Sequence, residues 1–109
     1  MPDPHRPLAP AEAALLLDGV SLNLIKRGAD GSLVMSTDHW RLAAVDDEAF
    51  RFVAEPPAPP DTPHTVIWLA DIERISWDRL TRQQQRSQVR FRLRGGDLHT
   101  FSGRLPEPG

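Results

Sequence analysis

The stretch from Gln88 to Gly103, Gln-Val-Arg-Phe-Arg-Leu-Arg-Gly-Gly-Asp-Leu-His-Thr-Phe-Ser-Gly, constrains this chain more than any other. Val89, Phe91 and Leu93 alternate strictly with Arg90, Arg92 and Arg94. Strand side chains change face at every residue, so the apolar three point to a core and the arginines point away from it. Gly95, Gly96 and Asp97 are residue types that tolerate the positive φ of a tight turn, and Leu98–Ser102 is the return strand. Two registers are open. A two-residue turn puts Leu98 and Thr100 on the core face. A three-residue turn puts His99 and Phe101 there instead, and is favoured because burying a Phe contributes about 1.5–3 kcal/mol.

The rest of the chain repeats this short-strand pattern. Strands are expected over Val20–Arg27, Ser32–Thr37, Trp40–Val45, Ala49–Glu55, Thr65–Leu69 and Ile72–Trp77, with turns at Gly28–Gly31 and Asp46-Asp47. Pro10–Asp18 is expected to be a short helix: Pro10 suits its first turn, Glu12 its positive end, and Gly19 the position after its last residue. Pro56–Pro63, with five prolines in eight residues, is a loop. Asp78–Ser87 is polar and is expected to be a surface loop. The domain organisation follows: a flexible leader over 1–9, one β domain over 10–104 and a flexible tail over 105–109. Strands at such short spacing point to a mainly β barrel or two-sheet sandwich.

Composition narrows the function more by exclusion than by indication. The chain has 109 residues and no cysteine, which removes disulfides and thiolate chemistry and fits a cytoplasmic location. No apolar run is long enough to cross a bilayer, and no signal peptide precedes the domain. A net charge of −2 argues against nucleic acid as a partner, because such binders are normally basic.

Three segments carry a family resemblance. Gly31-Ser-Leu-Val-Met-Ser-Thr-Asp-His-Trp40 looks like the early strand, turn and aromatic of the GRAM and pleckstrin-homology-like (PH-like) superfamily. Ile67-Trp-Leu-Ala-Asp-Ile-Glu-Arg-Ile75 is similar to its middle strand pair, and Val89–Ser102 to its late hairpin. The resemblance runs over roughly residues 20–103 and implies a PH-like, partly open barrel or two-sheet sandwich of about seven strands. Such domains close one end with a C-terminal helix, whereas Pro106 and Pro108 forbid one here. The N-terminal helix then covers that opening, a partner supplies the missing element, or the sequence stops short of it. The Sm-like fold is a rival resemblance; the two strands after Trp77 count against it.

No catalytic or metal constellation emerges. His5, His39, His64 and His99 lack ligand spacing, so neither a metal nor another cofactor is expected. Ser36, Asp38 and His39 are triad residue types, but no nucleophile elbow accompanies them. Gly95-Gly96 lacks the context of a phosphate loop, and Asp46, Asp47 and Glu48 read as a solvated turn. Trp68 is out of phase with Ile67 and Leu69 and is expected to meet the helix through Leu15, Leu16 and Leu17. Arg90, Arg92 and Arg94, with Arg79, Arg82 and Arg86 before them, make the one charged constellation. Guanidinium groups bind phosphate and carboxylate in a bidentate fashion, and the resembled superfamily uses basic residues near strand loops for phosphoinositides. The plainer reading is a solvated face paired with Glu73 and Asp71. The expected function is a non-enzymatic interaction module that binds a protein segment or self-associates. The alternative is an anionic-ligand or membrane-surface binder using the arginine face.

Overall fold

The computed structural model of the chain describes residues 5–36, 39–55, 64–81 and 86–108. The elements are β1 (His5–Pro7), α1 (Pro10–Leu17), β2 (Asn23–Arg27), β3 (Leu33–Met35), β4 (Trp40–Val45), β5 (Ala49–Ala54), β6 (Thr65–Trp68), a 3-10 turn (Leu69–Asp71), β7 (Ile72–Thr81), β8 (Arg86–Leu93) and β9 (Leu98–Gly103). They form a six-stranded sheet in the order β1-β7-β8-β9-β2-β3 and a three-stranded sheet in the order β4-β5-β6. The protein is mainly β, in two sheets that do not close into a barrel. One isolated bridge, Leu22 with Trp40, joins the sheets at a seam.

The core lies between the sheets and is built by the alternation in the sequence. Phe50 and Phe52 of β5 meet Phe91 and Phe101 of the larger sheet. Phe52 stacks on Phe101 at 3.9 Å between centroids, and Phe91 stands edge-on to Phe50 at 5.1 Å and to Phe101 at 5.8 Å. All four rings are fully buried, and such offset and edge-to-face pairs add to the burial of their area. Helix α1 lies against β4 and drives Ala13, Leu16 and Leu17 into this core. The Glu12 carboxylate accepts a hydrogen bond from Ala9 N–H at 3.0 Å, satisfying one donor left over at the helix start.

The hairpin settles its register with Phe101 buried and opposite Val89, and Phe91 opposite His99. This is the phase of the three-residue turn, but the turn comprises Arg94, Gly95 and Gly96. Leu93 N–H bonds Asp97 O, and Gly96, at φ +96°, donates to Leu93 O. Arg94 thereby leaves the strand and the arginine row. A positive φ is needed at the last turn position, and Gly96 supplies it without strain.

The described residues depart from expectation in three places. Within the expected leader, residues from His5 onward join the sheet: His5–Pro7 pairs with β7, Leu8 N–H bonds Ile75 O at 2.9 Å, and the Leu8 side chain is buried. A strand this short has no periodicity to detect. Asp78–Ser87 is not a loop throughout, since β7 runs to Thr81 and β8 begins at Arg86. Asp78 and Ser87 look like loop residues only because they are polar; both are buried. Of the expected tail, residues 105–108 fold back: Leu105 is buried, Glu107 pairs with Arg79, and Arg6 Nη1 donates to Pro108 O. The proline-rich segment over 56–63 lies outside the described residues.

Candidate interaction surface

Only one face of the larger sheet packs on the smaller sheet. Strand pairing places three rows across its other face. The first row is Arg74, Arg92, Leu98, Arg27 and Leu33; the second is Ser76, Arg90, Thr100, Ile25 and Met35; the third is Asp78, Gln88, Ser102 and Asn23. The face therefore runs from arginines on β7 and β8 to apolar side chains on β3.

The expected arginine cluster is divided. Arg90 and Arg92 stand on this face, joined by Arg74 and Arg27, which sequence reading passed over. Arg90 does not pair with Glu73 or Asp71. Its Nη1 lies 3.5 Å from the Asp78 carboxylate, which also accepts from Gln88 Nε2 at 3.3 Å. Arg92 stands directly opposite Arg74, and neither has an ion pair among the described residues. Like charges placed so oppose each other. Arg94 sits in the turn and donates through Nε to Ala70 O at 3.1 Å. Arg79 pairs with Glu107 and covers the Trp77 ring. Arg86 lies at the far end of β8, beside a shallow groove shared with Arg104, Asn23 and His39. Arg82 is outside the described residues.

The edges of the sheets differ in what they offer. β1 closes one side of the larger sheet with Pro7, which has no N–H to give. β6 ends the smaller sheet with Thr65 and Ile67 buried. β4, the remaining edge, has α1 lying against it, whereas β3 has no such cover among the described residues. Leu33, Val34 and Met35 are 53, 61 and 67% exposed. Gly28 N–H bonds Ser32 O and Ser36 N–H bonds Leu24 O, so hydrogen-bonded pairing to β2 falls on residues 32, 34 and 36. Antiparallel alternation then turns the N–H and C=O of Leu33 and Met35 outward, with no partner among the described residues. The strand was visible in the sequence; its position at an edge was not, because strand order is a property of the whole sheet.

The tip beside this edge is held firmly. Ser32 N–H bonds Asp30 Oδ1 at 2.9 Å and Ala29 N–H bonds Asp97 Oδ1 at 3.0 Å, tying the β2–β3 turn to the β8–β9 turn. The Ser32 hydrogen bonds hold the Asp30 carboxyl below its ordinary pKa. Beside the edge, Lys26 stands between His99 and Val34. His99 is half-buried, its Nδ1 has no hydrogen-bond partner, and burial, then the charge of Lys26, lowers its pKa.

The expected contact of Trp68 with the helix has a different arrangement. Trp68 is 46% exposed, with the Arg51 guanidinium 5.6 Å from its ring centre, while α1 rests on β4 at the opposite side of the smaller sheet. Leu16 enters the core and Leu15 points outward, beside a shallow apolar groove with Leu42 and Val45. Among the described residues, no group of three or more His, Asp or Glu side chains could hold a metal ion. Among the same residues, no helix is long and apolar enough to cross a membrane. Compared with family models, with curated proteins and with solved structures, the chain finds no match.

Proposed function

We propose that this domain is a non-enzymatic interaction module that takes up an extended segment of another protein as an added strand on β3. One observation carries the reading: an edge strand whose three apolar side chains are exposed and whose Leu33 and Met35 backbone groups face outward. Edge strands of this kind are templates for pairing and are normally blunted by charge, proline or a covering element. Added-strand recognition draws its affinity from such main-chain groups and its selectivity from alternate side chains. The scaffold is read as PH-like on the motifs quoted above and on its two antiparallel sheets. A cytoplasmic setting accords with the absence of cysteine.

A displayed random-peptide library panned against the chain tests this. Selected peptides are expected to shift the Leu33 and Met35 amide resonances and to lose binding to Met35→Pro. That substitution removes an outward N–H without removing a β2–β3 hydrogen bond. Peptides that bind the substituted chain equally well would place the site elsewhere.

The unpaired Arg74–Arg92 couple favours a second reading, an anionic surface bound through the arginine face. Co-sedimentation with anionic vesicles, weakened by salt and by Arg74→Gln with Arg92→Gln, is its expected signature.

A further inference from the structure

We infer that the segment taken up by β3 is acidic, carrying carboxylates at two adjacent positions; this rests on the strand-addition reading. The strand behind the edge supplies the reason. Lys26 and Arg27 are consecutive on β2, so they stand on opposite faces of the sheet. Lys26 is opposite Val34 on one face and Arg27 is opposite Leu33 on the other. Each cation is thus one strand in from the free edge, and the only side chain between it and an added strand is apolar.

No ion pair of Lys26 or Arg27 occurs among the described residues. The nearby turn acids are engaged elsewhere, Asp30 with Ser32 N–H and Asp97 with Ala29 N–H. On their other sides Lys26 meets His99 and Arg27 meets Leu98, neither of which is an acid. A strand added beside β3 repeats the alternation of the sheet. Its residue opposite Leu33 shares a face with Arg27, and the next residue, opposite Val34, shares a face with Lys26. Two consecutive acids therefore reach two cations, one above the sheet and one below. A second copy of this chain fits less well, because pairing β3 with itself brings the same two cations from each copy toward one seam, like charge toward like.

Three capped decapeptides of alternating threonine and valine, with Glu-Glu, Gln-Gln or Lys-Lys at the centre, test this on the full chain. The Glu-Glu peptide is expected to bind roughly tenfold tighter than Gln-Gln, to shift the Leu33 and Met35 amides, and to lose its advantage in 1 M salt. Lys26→Glu with Arg27→Glu is expected to transfer the preference to Lys-Lys. If all three peptides shift those amides with equal affinity, the acidic preference is overturned and strand addition stands. If none shifts them, strand addition itself fails. If the amides shift with chain concentration alone, a second copy occupies the edge and the inference is overturned.

Discussion

Asp78 shows how one residue can misdirect a reading of sequence and yet hold a face together. Its carboxylate is buried between Gln88 and Arg90. Removing one member of such a group leaves the other half-buried and uncompensated. Asp78→Ala is expected to cost about 2 kcal/mol in urea unfolding, with Asp78→Asn costing less. His99 gives a pH dependence whose sign follows from its surroundings: Phe91 and Lys26 as its cross-strand neighbours, and Asp97 beside it. Burial and then Lys26 lower its pKa in the folded chain, while Asp97 raises it by less. Between that lowered value and the ordinary histidine value of 6.5 the unfolded chain binds more protons, so stability rises with pH across this window and levels off above it. His99→Gln is expected to flatten that rise when unfolding is followed across the acid range. In the core, Phe91→Ala is expected to cost about 3–5 kcal/mol, measured the same way, because its ring meets three others.

At the scale of elements, the β8–β9 hairpin and the β3 edge mark what can be read locally. The alternation of Val89, Phe91 and Leu93 with arginines identified the strand, its inner face and the burial of Phe101, because period two and apolar burial act within a few residues. Whether Arg94 closes the strand or opens the turn depends on one backbone hydrogen bond, Leu93 to Asp97, and no residue type announces it. The three strand residues Leu33–Met35 were equally visible, but their exposure follows from their place at the end of the strand order. Met35→Glu is expected to change stability by less than about 0.5 kcal/mol while sharply weakening added-strand binding, because its carboxylate shares a face with the segment's acid opposite Leu33, a combination that urea unfolding and peptide titration on one sample distinguish.

For the whole molecule, both ends of the described chain belong to the fold. β1 covers the edge of β7, Leu8 fills the core beside Ile75, and the segment around Leu105 returns against Arg6 and Arg79. Leu8→Ala is expected to cost about 2–3 kcal/mol by thermal or urea unfolding, whereas a detached leader would cost nothing. The mainly β character and the two-sheet core were legible because alternation determines them. Strand order was not, and with it went the edge, the Arg74–Arg92 couple and the cations behind β3. All three are created by residues far apart in the chain.

That distance has a consequence in time. β2 is held on one side by β9, with Asn23 opposite Ser102, so an early strand has its neighbour only when a late one arrives. Pairings of such long sequence separation form slowly, after the loop between them has been closed. On the ribosome, β2 and β3 emerge well before β9 and wait as an unsupported two-stranded ribbon, which is marginal alone in water. The surface proposed to receive a partner is therefore complete only once β9 has emerged, and a chain not yet that long has no finished edge to offer.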